Sequence, residues 1–208
     1  MRTVLKDIGI VVFNGIERLD LEGPLGVLGW AGKISGDPLN IRLLSKDGLP
    51  VHDHLTKRSI VADGDLKTAT RFDLLLVPGG DPAQFGSDSV LIDEIRRLGS
   101  ASSILASVCT GALLVAATGL ANGKRMTTHW KFRSHFSQHY PKVTLAPERV
   151  VHEGNLWSSA GISAGIDMAL RLVAACWNPQ IAKQVQGSLE YFPEPPFTKD
   201  EVLESVPK

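Results

Sequence analysis

An apolar run from Ile104 to Val108 stops abruptly at Cys109, Thr110 and Gly111 follow, and the small apolar residues Ala112–Ala117 then read as helix. Few chain geometries accommodate LASVCTGALLVAA (105–117) in that order. A strand, one residue able to act as nucleophile, small residues and a helix make up a nucleophile elbow. The sharp turn lifts the Cys109 side chain out of the sheet, and Gly111 lets the helix start come close. A thiol so placed feels the partial positive charge of the helix N-terminus, which favours the thiolate. The competing reading is a small hydrophobe packed into the core, the commoner fate of a free cysteine. The stretch by itself supports both.

The elements around it alternate. Ile8–Phe13 is a continuous apolar run, as in a strand buried on both faces. Leu21–Ala31 has helical spacing, with Pro24 tolerated in a first turn. Ile41–Leu44 is a second short strand, Val51–Val61 a small hairpin or excursion, and Leu74–Val77 a third buried strand ended by Pro78-Gly79-Gly80. Val90–Leu98 is an amphipathic helix ahead of the Ile104–Val108 strand. Strands alternating with helices imply an α/β domain whose parallel sheet is covered on both sides. Chemistry in such sheets collects at the carboxyl ends of the strands. The Asn14–Asp20 loop, Gly79-Gly80 and Cys109 all follow strands, so they share one rim. Further on, Lys131–Tyr140 reads as helix, and Val150–His152 and Leu156–Ser158 as strands about the turn Glu153-Gly154-Asn155. Ile162–Trp177 is a long apolar helix stopped by Asn178-Pro179. PEPPF (193–197) is too rich in proline for a helix and runs extended.

At 208 residues the chain fits a single domain over 1–208. Lys plus Arg and Asp plus Glu both number 22, so there is no basic field to hold nucleic acid. The opening MRTVLKDIGIVVF lacks a long apolar stretch with a cleavage site, and nothing approaches a membrane span. Cys109 and Cys176 lie far apart and do not form a disulfide framework, which makes a reducing, cytoplasmic setting the default. Cys176 falls near the end of an apolar helix, where burial and inertness are expected.

A thiolate needs partners. Asp20 sits among apolar neighbours in RLDLEGP, where it either caps a helix or, in a dry cleft beside Cys109, shuttles a proton from a raised pKa. Glu22, two positions on, faces another direction as a solvated acid. Gly79-Gly80 offers backbone N–H groups suited to an oxyanion, or simply a tight turn needing positive φ. His129, in TTHW (127–130), stands at a strand-to-helix junction, within reach of the cleft or satisfied structurally. His135 and His139 are spaced i, i+4 without a third ligand, so no metal site is expected. There is no GxGxxG, Walker loop or serine elbow.

The motifs LDLEGP (19–24), VPGG (77–80), SVCTGALL (107–114), TTHW (127–130), ERVVHEGNLWSSAGISAGIDMAL (148–170) and QGSLEYFPEPPF (186–197) resemble the ThiJ/PfpI superfamily, and within it the isocyanide hydratase branch. The resemblance covers nearly the whole chain. It implies a flavodoxin-like three-layer sandwich with a mostly parallel central sheet and a homodimer. The family's acid, Gly-Gly pair and elbow cysteine correspond to Asp20, to Gly79 and Gly80, and to Cys109. Thr110 follows the cysteine where protease-like members place histidine, which argues against a Cys-His peptidase. Some relatives carry a helix-turn-helix reader, for which a chain ending at Lys208 leaves no room.

The implied activity is hydration of an isocyanide. The Cys109 thiolate attacks the isocyanide carbon while Asp20, or a water it holds, delivers a proton; water then adds to the thioimidate, and collapse releases an N-formamide. Thr110 would hold the water or substrate, and Ile162 and Ser163 lie where the family brings a backbone amide to the sulfur. Neither metal nor organic cofactor is implied, and the partner is a small molecule. Two alternatives stay open: another cysteine enzyme of the superfamily, such as a cofactor-independent glyoxalase, and a redox or ligand-sensing protein in which Cys109 is oxidised or lines a pocket.

Overall fold

A computed structural model describes residues 5–86 and 88–205, so the extreme ends of the expected domain lie outside it. In chain order the first elements are β1 (Asp7–Val11), α1 (Arg18–Ser35), β2 (Asn40–Ser45), the hairpin pair β3 (Val51–His52) and β4 (Ser59–Ile60), β5 (Gly64–Asp65) and β6 (Leu74–Val77). Then come α2 (Pro82–Phe85), α3 (Ser89–Ala101), β7 (Ile104–Val108), α4 (Gly111–Ala117), β8 (Arg125–Met126), α5 (Arg133–His139) and β9 (Thr144–Leu145). The chain closes with β10 (Val150–Glu153), β11 (Leu156–Ser159), α6 (Ala164–Cys176), α7 (Pro179–Ser188) and α8 (Lys199–Ser205).

Among the described residues one seven-stranded sheet runs β10-β11-β7-β6-β1-β2-β5, parallel throughout except for the β10–β11 edge hairpin. The central strands β6 and β7 are buried along their whole length, which is why they read as unbroken apolar runs. The sheet grows in one direction from β1 to β2 and in the other from β6 to β7. Right-handed crossovers therefore put α1 and α3 on opposite faces. Helices α1, α6 and α7 pack together on one face, and α3 packs on α4 on the other. This is the flavodoxin-like α/β sandwich that the motifs imply. Strand order reverses between β1 and β6, so the crevice of the fold opens beyond the carboxyl ends of these two strands.

The expected start of the first helix is corrected, and with it the place of Pro24, while the Asn178-Pro179 stop stands. Helix α1 begins at Arg18, three residues before Leu21, because Glu17 caps it: the Glu17 carboxylate accepts from the Leu19 N–H at 3.1 Å. Pro24 then falls in the second turn, buried against α6, where it offers the Asp20 carbonyl no N–H from the position four residues on. Asn178-Pro179 ends α6 and also starts α7, with Asn178 accepting from Ile181 N at 2.8 Å and proline in the first turn. Beyond the PEPPF segment, which forms neither helix nor strand, Thr198 and Glu201 form a reciprocal capping box that opens α8.

Candidate functional site

Cys109 occupies the left-handed region with φ +58, a conformation that costs a cysteine on the order of 1–3 kcal/mol and that turns its side chain away from the strand line. The surroundings hold it there. Its N–H donates to the Ser159 carbonyl on β11 at 3.1 Å, and its carbonyl accepts from the Thr128 hydroxyl at 2.9 Å. A Cβ added to Gly111 would stand 2.2 Å from the Val77 carbonyl oxygen and 2.6 Å from that of Pro78. Only glycine lets α4 start this close to β6. The elbow of the sequence reading is present, and Cys109, 5% exposed, is at once packed in the core and strained.

Asp20 comes to the same place from α1. With the helix starting at Arg18 it lies in the first turn, fully buried, and its Oδ2 accepts from the Gly79 N–H at 3.0 Å. Among the described residues its Oδ1 meets no nitrogen or oxygen donor, and the Cys109 thiol is the side-chain hydrogen-bond partner of the carboxyl. Asp20 and Cys109 face each other closely enough for each to shift the other's proton. Burial pushes Asp20 from 3.8 to about 8; the Gly79 N–H opposes this, and the neighbouring Glu17 carboxylate adds to it. Burial, then the Asp20 charge, pushes the Cys109 thiol well above its ordinary range, against the pull of the Thr110 N–H and hydroxyl. The thiolate-favouring effect expected from the helix start is thus outweighed by desolvation. A protonated acid beside a protonated thiol is the resting state at neutral pH.

Gly79 and Gly80 are needed for closeness, not for positive φ. A Cβ on Gly79 would lie 2.6 Å from Thr110 N and 2.8 Å from Asp20 Oδ2, and one on Gly80 2.1 Å from the Gly15 carbonyl oxygen. Their N–H groups are also not open oxyanion donors. Gly79 gives its N–H to Asp20, and Gly80 gives its own to the Thr110 hydroxyl at 2.8 Å, while that hydroxyl lies 2.8 Å from the Gly80 carbonyl oxygen to which it donates. Both amides are spent on holding the acid and the residue after the nucleophile.

The remaining candidates lie at the margin. His129 is half-buried over Gly161, where a Cβ would meet its ring at 1.9 Å, and its Nδ1 accepts from Lys131 N at 3.2 Å. Burial and Lys131 hold its imidazole below its usual value, and the ring has a structural place. Its neighbour Thr128, which the sequence reading did not single out, makes the contact with Cys109. Ile162 is half-buried just before α6, whereas Ser163 is exposed and accepts from Arg149 Nη2 at 3.1 Å. The structure therefore joins Asp20, Gly79, Gly80, Cys109 and Thr110 and leaves the His129 and Ser163 side chains engaged elsewhere. Glu22 is exposed and pairs with Arg18 at 3.7 Å. His135 and His139 stack at 3.9 Å, and among the described residues no three metal-ligating side chains come together. Glu17 was the other residue missed. Its signal is an acid three positions before Asp20, on the same helical face once α1 starts at Arg18.

The DJ-1/PfpI family model matches residues 6–175. The isonitrile hydratase of Pseudomonas putida is 36% identical over 193 residues, covering 91% of this chain and 80% of that protein. The HTH-type transcriptional regulator CdhR of Pseudomonas aeruginosa is 29% identical, and the match spans 86% of this chain but 53% of the regulator. Among solved structures, a ThiJ/PfpI family protein from Pseudomonas syringae superposes with a TM-score of 0.85 at 28% identity, over 93% of this chain and 78% of that one. With the elbow, the sheet order and a family model that spans most of the chain in agreement, this protein belongs to the DJ-1/PfpI family.

Proposed function

We propose that this protein is a cysteine-dependent hydratase that converts an isocyanide to an N-formamide. The observation that carries the reading is a strained elbow cysteine facing a buried acid that keeps its proton to about pH 8. The likeness to the isonitrile hydratase supports it. An isocyanide presents one terminal carbon that must gain both a nucleophile and a proton. The Cys109 sulfur forms the new bond to that carbon, Asp20 delivers a proton to it, and the proton of the thiol replaces the one Asp20 gives. The result is a thioimidate. Water then adds across its C=N bond, and collapse of the adduct breaks the C–S bond, returning the thiol and releasing the formamide. Thr110, held by the Gly80 peptide, fixes the backbone beside the sulfur. The reading extends to one domain over 1–208, a homodimer and a reducing, cytoplasmic setting, which suits a free thiol; no described helix is long and apolar enough to cross a membrane.

Incubation with an alkyl isocyanide, and separately with methylglyoxal, tests the reading by product analysis. Formamide from the first is the expected result. Lactate from the second without formamide replaces this reading with a glyoxalase, and no product from either replaces it with a sensor. Light scattering at micromolar concentration checks the dimer.

A further inference from the structure

Among the described residues the buried carboxylates are Glu17, Asp20 and Asp53, and all three gather on the same rim. Asp53 is accounted for by its own loop. Its carboxylate accepts from the Thr56 hydroxyl and N–H, both at 2.6 Å, and from the N–H groups of Leu55 and Arg58 at 3.0 Å, and Arg18 lies 3.5 Å away. This ties the β3–β4 excursion into a rigid turn. Ile16 bridges it to Gly80, and the His54 N–H donates to the Ile16 carbonyl at 3.1 Å. The turn thus delivers one side chain to the site: His54 Nε2 stands 2.9 Å from Glu17 Oε2.

Glu17 does more than cap α1. Capping takes one carboxylate oxygen, and serine or aspartate would do it at lower desolvation cost. The Glu17 N–H donates to the Gly79 carbonyl at 2.8 Å, while the Gly79 N–H donates to Asp20. The same glycine is therefore gripped at both ends, by the backbone of one acid and the side chain of the other. We propose that the Glu17 carboxylate, buried at the cap of the turn that carries Asp20 and anchored by His54, is a positioning residue for the Cys109–Asp20 pair. This rests on reading Cys109 and Asp20 as the reacting pair. The titratable and charged groups around it are the His54 imidazole, the Arg18 guanidinium shared between Asp53 and Glu22, and, further out, Lys57 and Asp81.

The test reads the thiol directly, without turnover. The rate of Cys109 alkylation by iodoacetamide is followed against pH in the full chain and in Glu17→Gln, Glu17→Ser and Glu17→Asp. Serine still caps the helix, so a neutral variant that folds is available even if glutamine is tolerated poorly; circular dichroism checks this. Removing the anion lets the pair lose its first proton more easily. Both neutral variants should move the acid limb to lower pH by roughly one unit, about ten-fold in rate on that limb, and Glu17→Asp should restore it. In an Asp20→Asn background the neutral variants should have no such effect. An unmoved limb in both neutral variants overturns the proposal, as does an equal shift without Asp20. A shifted limb in a protein that does not hydrate isocyanides supports this role and overturns the hydratase reading instead.

Discussion

Asp20→Asn should change stability and activity in opposite senses, and the pH dependence separates the two causes. In the folded protein the Asp20 carboxyl keeps its proton to about pH 8, while its ordinary value, which the unfolded chain adopts, is 3.8. Between these values the folded state binds a proton that unfolding releases. Stability contributed by this group is therefore full below about pH 4 and is lost as pH rises toward 8, at about 1.4 kcal/mol per pH unit. Asparagine does not titrate. The variant has its own penalty: its Oδ1 can accept from Gly79, but its amide N–H groups then occupy the position of an oxygen that meets no nitrogen or oxygen partner among the described residues, costing about 1–3 kcal/mol. At pH 5 the two effects nearly cancel. By pH 8 the wild type has lost roughly a further 3–4 kcal/mol relative to the variant, so the variant is the more stable protein. Urea unfolding of both at pH 5, 6, 7 and 8 measures this. Over the same range kcat for the isocyanide should fall on the order of a hundred-fold or more, since an amide relays no proton. Parallel stability–pH curves would refute the assignment of the raised acid to Asp20, and near-full activity would reduce Asp20 to a structural residue of α1.

Cys109→Ala should abolish formamide production, whereas Cys176→Ser, 6% exposed at the end of α6, should retain it with a modest loss of stability; mass mapping after alkylation should place the label on Cys109. Thr110→Val removes the hydroxyl that accepts from Gly80 N–H, leaving a half-buried amide unpaired, and should cost about 1–3 kcal/mol in urea unfolding with a fall in kcat. Gly111→Ala drives a methyl group into two backbone carbonyls and should destabilise by roughly 2–4 kcal/mol, if it folds at all, measured by the same unfolding curves.

What could be read from the sequence follows from where signals are local. The elbow was legible because β7 is buried on both faces, α4 is made of small apolar residues, and Cys109 stands alone between them. The rim shared by the Asn14–Asp20 loop, Gly79-Gly80 and Cys109 followed from strand order. The start of α1 did not. Pro24 and Leu21 suggested a later first turn, and Glu17 is a weaker cap by type than Asp20, yet its side chain has a second partner in His54, far away in sequence. The Gly-Gly pair was placed correctly and its work misread. Its N–H groups are claimed by Asp20 and Thr110, a fact that only tertiary contacts supply. The same holds for the thiol: the helix-start argument is local and correct in sign, but burial and the Asp20 charge are larger and non-local.

Three departures from ordinary protein structure coincide at this rim: a cysteine at positive φ, a buried ionisable acid and a carboxyl oxygen that meets no nitrogen or oxygen partner among the described residues. Each is unfavourable alone, and a flexible site would relax them by turning Asp20 outward or letting the elbow flatten. The glycines prevent both. Gly79, Gly80 and Gly111 bring backbone within contact of Asp20, Thr110, Gly15 and the β6 carbonyls, with no room for a single methyl group. The acid and the thiol cannot separate without opening the junction between β1, β6 and β7, which is the centre of the sheet. The core that stabilises the domain is therefore the same structure that keeps the pair in its unfavourable, reactive arrangement.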